Sequence, residues 1–192
     1  MILLLALPVG LLTGLLLARV TRRRWELPPL RVLWLVVISF IPQYFAIYLP
    51  ATRQRLPDFW AAVCLLGSQG LFLIFCWLNR RVPGVPLIAA GLILNLLVMS
   101  ANGGFMPISP QTALHLTGGG SLSGWPLGGR FGWKDVLLLP GKTQLAFLSD
   151  LFVLPGRLPY QVAFSPGDVF VAAGAFWLLA AGAFARRDSH QG

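Results

Sequence analysis

Carboxylates are scarce in this chain. Glu26, Asp58, Asp135, Asp150, Asp168 and Asp188 are the six present in 192 residues, and each falls at a predicted helix end or in a loop. No acidic group is therefore placed inside a membrane helix to carry protons or a driving cation, which disfavours ion-coupled transport. Metal-ligating residues are equally few. His115 and His190 are predicted on opposite membrane faces. Cys64 and Cys76 lie in one apolar run, about 18 Å apart at ~1.5 Å of helical rise per residue and too far apart for a disulfide with each other. That inventory assigns neither a metal nor a cofactor. A polar domain is lacking too: only 11% of residues are charged. The net charge of +9 is carried by short basic clusters at the ends of apolar runs, the pattern that encodes membrane orientation rather than nucleic-acid binding.

What is present is apolar sequence, 56% hydrophobic residues with a mean hydropathy of +0.74, spread too evenly for a single anchor. The distribution predicts an all-α integral membrane protein in one domain. Five spans are expected at about 2–20, 30–49, 59–78, 87–101 and 169–185, with a long outer loop over 102–165. Arg19, Arg22, Arg23, Arg24, Arg31, Arg80, Arg81, Arg186 and Arg187 fall on one side, against Arg53 and Arg55 in the short outer turn. The imbalance puts the N-terminus outside and the C-terminus inside. The first run carries no charge before it and no small-residue cleavage site after it, so it is expected to remain as a span rather than act as a secretory signal. Gly10, Gly14 and Ala18 form a small-residue face suited to packing against another helix or subunit.

The chain is organised around Asn95 to Pro110, NLLVMSANGGFMPISP. Asn95, Met99 and Asn102 share a helical face, because seven residues advance a helix by about two turns. Gly103 and Gly104 admit backbone conformations closed to other residues, and Pro107 and Pro110 oppose an immediate return to helix. Gln43, following Pro42 in the second span, is expected at a depth similar to Asn95. The specific expectation is a weakly polar pocket in which Gln43, Asn95 and Asn102, with Gln69, meet beneath an outer cap formed by Gly103, Gly104, Met106 and Pro107. In the bland alternative each amide bonds a neighbouring helix and contributes about 1 kcal/mol.

Within the outer loop, TGGGSLSGWPLGGRFG (117–132) reads as mobile, with Trp125, Phe131 and Trp133 near lipid headgroups. Residues 136–154 hold Pro140, Gly141, Lys142 and Asp150. A crossing there would put Arg186 and Arg187 outside, so a short interfacial or re-entrant helix over roughly 143–154 is expected, with Asp150 in polar surroundings or paired with Lys142. Gly141, Lys142 and Thr143 lack the upstream glycine of a nucleotide-binding loop, and the GSQG around Ser68 fits no nucleophile pattern. Ser165, Pro166 and Asp168 form a strong helix start, a capping box with proline in the first turn.

NLLVMSANGGFMP, FLSDLFVLP and FSPGDVF together resemble a bacterial family of multi-pass membrane proteins known only as a domain of unknown function. The resemblance covers about Leu3 to Ala185 and is sharpest at Asn95–Pro107, Ser149–Pro155 and Ser165–Asp168. It implies a bacterial cytoplasmic membrane and one outer surface gathering the three segments; it implies no reaction and no catalytic residues. The expected task is binding at the outer face. Gln43, Asn95, Asn102, Gly103, Gly104, Met106, Pro107, Asp150 and Asp168 are the candidate residues, and the partner is a lipid, a small amphipathic ligand, a membrane protein or a second copy. The rival is a membrane enzyme acting on a lipid-linked substrate, with Asp150, Lys142, His115 and Arg130 as candidate groups. Convergence of those four on one point would favour it.

Overall fold

The computed structural model describes residues 2–53, 55–154 and 161–184. Its helices are α1 (Leu3–Val20), α2 (Trp34–Gln43), α3 (Pro50–Arg53), α4 (Asp58–Leu78), α5 (Val85–Ala101), α6 (Pro110–Leu116) and α7 (Pro166–Ala180). Three stretches are long and apolar enough to cross a membrane: Leu3–Val20, Asp58–Leu78, and Pro166–Phe184, where α7 continues as a 3-10 turn. Trp34–Tyr48 and Val85–Ala101 are shorter apolar helices. The basic tail with Arg186, Arg187 and His190, and the segment with Pro155 and Arg157, lie outside the described residues.

α7 lies between α1 and α5, and glycines on both sides set its distance from them. A Cβ on Gly10 would lie 2.8 Å from the Phe176 carbonyl oxygen, and one on Gly174 would lie 2.6 Å from the Gly84 carbonyl oxygen. The small-residue face of α1 is thus spent on α7 within the chain: Gly10, Gly14 and Ala18 are the residues of α1 that are buried. α2 packs on α4. After Pro42, which has no N–H to offer the preceding turn, the helix widens into a π turn over Tyr44–Tyr48.

The fold is mostly helical but not all-α, because the long loop is ordered into a small β cap. β1 (Met106–Ile108) pairs in parallel with β3 (Asp135–Leu137), and β3 pairs antiparallel with β2 (Arg130–Phe131). β4 (Phe152–Val153) and β5 (Ala163–Phe164) form a separate two-stranded ribbon. β1 is an edge strand, which is why Pro107 is tolerated within it. Phe131, expected near headgroups, is buried with Ile108, Ala113 and Leu137. Met106, Phe105, Val136 and Leu148 of the cap join Ile47, Leu65, Val98 and Met99 of the helices in one core.

The helix expected over 143–154 is not formed. Leu145 holds a left-handed conformation (φ 52°), and the Gln144 backbone is bonded on both sides by Asn102, so the segment makes one 3-10 turn, Ala146–Leu148, and then strand β4. Pro110 does not stop a helix either; it begins α6, with Ser109 accepting from the Thr112 N–H as cap.

Candidate functional site

Asn95, Ser165 and Asp168 form a closed ring of hydrogen bonds where α5 meets the start of α7. Ser165 Oγ donates to Asn95 Oδ1 (2.8 Å), Asn95 Nδ2 donates to Asp168 Oδ1 (2.9 Å), and the capping box links Ser165 and Asp168 in both directions. Gly167 makes the ring possible, since a Cβ there would collide with the Asn95 side chain. Asp168 is therefore both a helix cap and an inter-helix clamp.

Beside this ring the cap gathers three charged side chains. Lys134 Nζ donates to Asp150 Oδ2 at 3.0 Å and lies 3.7 Å from Asp135 Oδ1, beyond hydrogen-bonding reach. Asp150 is 1% exposed, and its backbone N–H donates to the Pro107 carbonyl oxygen (3.2 Å), so β1 fixes its position. Asp135 Oδ1 and Asp150 Oδ1 are buried and meet no N–H or O–H donor among the described residues. Burial pushes the Asp135 carboxyl from 3.8 up to about 7; Lys134 pulls it down, while Asp150, to which it is hydrogen-bonded, and Asp168 push it up further. Asp150 is also raised by burial, with Lys134 opposing. Two buried carboxyls beside one lysine cannot both ionise without cost, which favours a proton between them. Burial lowers the affinity of Lys134 for its proton, but Asp150, Asp135 and Asp168 more than reverse this and hold the ammonium well above the usual lysine range.

The expected residues divide. Asn95 and Asp168 come into direct contact. Asn102 instead closes its own helix, donating to the Val98 and Gln144 carbonyl oxygens at 2.7 and 2.8 Å. Gln69 donates to Met99 Sδ at 3.2 Å, and Gln43 is half-buried at the junction of α2 with the π turn. Gly103 and Gly104 take positive φ, and Gly104 abuts Ala62 of α4. Met106 and Pro107 are wholly buried in β1. Asp150 sits in a buried ionic cluster rather than open polar surroundings, and its partner is Lys134, not Lys142.

The four groups proposed for catalysis do not come together. Arg130 donates to the Leu56 carbonyl oxygen (3.0 Å), pairs with Asp58 (2.6 Å) and covers the Phe105 ring, whereas Lys142 and His115 are exposed. Lys134 and Asp135 belong to the acid-base inventory of the outer loop, but no spacing in the sequence sets them apart from its other charged groups, and they are not among the candidate residues above.

These observations define a largely helical protein with three helices able to cross a bilayer and an ordered cap holding a buried carboxyl pair. The chain belongs to DUF5317, a family of unknown function whose model matches residues 28–180, the whole cap included. An uncharacterised protein of Thermotoga maritima is 34% identical over 137 residues, a match covering 69% of this chain and 73% of the relative. No solved structure matches this chain.

Proposed function

We propose that the protein is a multi-pass protein of the bacterial cytoplasmic membrane, N-terminus outside and C-terminus inside, whose outer cap binds a lipid or small amphipathic molecule without transforming it. In this reading five helices span the membrane. At ~1.5 Å per residue the 15-residue Trp34–Tyr48 helix covers roughly 22 Å, short of ~30 Å of hydrocarbon, so the bilayer thins where the cap sits.

The observation carrying the binding role is apolar exposure on an ordered segment outside the helices. Phe147 (66% exposed), Leu151 (47%) and Phe152 (48%) project from the stretch whose Asp150 is locked inside. A fixed apolar patch of this kind is a docking surface in search of an apolar partner. Trp133 stacks on Tyr48 with ring centroids 5.0 Å apart, a pairing suited to headgroup depth, so the partner favoured is a lipid of the outer leaflet. A second copy or another membrane protein is the competing occupant.

The test is purification in native lipid followed by mass spectrometry of what copurifies. A lipid should accompany the wild type and be lost from the variant Phe147→Ser/Phe152→Ser; its retention at unchanged stoichiometry would refute the assignment. A second reading, an enzyme acting on lipid-linked substrates, draws support from the raised carboxyls of Asp135 and Asp150 beside Lys134. Conversion of a bacterial lipid extract by reconstituted wild type, abolished in Asp150→Asn, would establish it in place of the first.

A further inference from the structure

At the opposite end of α2 and α4 from the cap lies a cavity of about 500 Å³, formed where residues 29–31 meet residues 78–82. Arg31, Arg80 and Arg81 line it and are exposed, and no carboxylate is among its walls. Among the described residues none of the three arginines forms an ion pair. Three like charges around one cavity repel one another, and an anion seated between them relieves that repulsion.

The geometry is built rather than incidental. Asn79, 3% exposed, accepts from the Arg31 backbone N–H through Oδ1 (2.7 Å) and donates through Nδ2 to the Arg31 carbonyl oxygen (3.0 Å) and the Phe75 carbonyl oxygen (2.9 Å). One buried amide therefore fixes the two basic segments to each other. Favourable interaction with the carbonyl end of α4 accounts for Arg80 and Arg81, but not for Arg31, which arrives from a separate segment and is held there by Asn79. Arg80 already has a seat, over the Trp77 ring at 4.6 Å with a bond to the Trp77 carbonyl oxygen. Arg31 and Arg81 are left for a ligand.

We propose that this cavity binds the phosphate of an anionic glycerophospholipid of the inner leaflet, a site that rests on the membrane reading above. Trp34 and Trp77, 59% and 66% exposed, stand beside the cavity as interfacial residues do. Exposed Val37, Ile38 and Ile74 continue from it along α2 and α4 as a path for acyl chains. Basic pockets between helices on the cytoplasmic side recognise anionic headgroups through this combination of charge and adjoining apolar surface.

The experiment uses the full chain in vesicles of phosphatidylcholine with graded phosphatidylglycerol. Flotation comes first: failure to float with the vesicles overturns the membrane reading and this site with it. For protein that floats, native mass spectrometry should find phosphatidylglycerol retained in preference to phosphatidylcholine. Arg31→Gln and Arg81→Gln should each lower that preference about fivefold. Arg22→Gln/Arg23→Gln, outside the cavity, should leave it unchanged. Floating protein with no preference, or equal loss in the Arg22/Arg23 variant, overturns the site. Displacement of the lipid by millimolar inorganic phosphate would identify a free-anion site and overturn the lipid assignment. Absence of a preference in the wild type overturns the site even if an arginine variant misfolds, and either of Arg31→Gln and Arg81→Gln suffices to place it if the other misfolds.

Discussion

Lys134 and Asp150 are sixteen residues apart in sequence and 3.0 Å apart in space, and the bond between them ties the strand that centres the cap to the segment carrying its exposed apolar patch. Removing one partner leaves the other charge stranded. Lys134→Met is expected to destabilise the cap by about 2 kcal/mol, less than the ~3–5 kcal/mol of a fully buried pair because the lysine end is partly exposed. Amide exchange should rise in residues 130–137 and 148–153 while that of α4 stays unchanged.

Asp135 gives the cap a pH dependence whose sign is fixed. Its carboxyl is raised from 3.8 to about 7 by folding, so between those values the folded state holds a proton that the unfolded state has lost. Stability from this group is complete near pH 4, falls as pH rises towards 7, and changes little beyond. The swing is roughly 1–2 kcal/mol, because Asp150 titrates together with it. Protection factors for residues 135–137, measured from pH 4.5 to 8, should decline in the wild type and decline less steeply in Asp135→Asn, where Asp150 alone remains raised.

The glycines offer a test with an internal control. Gly174→Ala would drive a methyl to 2.6 Å from the Gly84 backbone oxygen, forcing α5 and α7 apart, and is expected to cost several kcal/mol in the manner of overpacked cores. Nothing lies within 4 Å of a Cβ on Gly67 or Gly70 of α4, so Ala there should raise stability by about 0.5–1 kcal/mol. Thermal midpoints in one detergent will separate the two groups.

Asn95→Ala should loosen the start of α7. Asp168 and Ser165 retain the capping box but lose their link to α5, at a cost of about 1–2 kcal/mol. Cleavage by protease at the β5 to α7 junction should quicken. His115→Ala, on an exposed face of α6, should leave that rate unchanged.

The helices were readable because the signals that make them are local. Ser165 and Asp168 stand three residues apart and form the expected capping box, and the apolar runs of α1, α4 and α7 announce themselves by composition. The cap was not readable for the complementary reason. Its strands are two or three residues long, too short for any alternation to register, and Met106 finds Asp135 only across an intervening helix and a glycine-rich turn. Asp150 was singled out, but its partner had to be chosen among several distant cations, and sequence spacing favoured Lys142. The amides failed to gather because each had a nearer partner: for Asn102 the turn just above it, for Gln69 a methionine sulfur.

The arrangement of α1, α7 and α5 also has a bearing on biogenesis. α1 leaves the ribosome ahead of α7, yet the surface that receives its glycine notch belongs to α7, made about 150 residues later. At synthesis rates of about 5–20 residues per second, the notch stays open for several seconds or more. Translation arrested before residue 166 strands α1 without its mate.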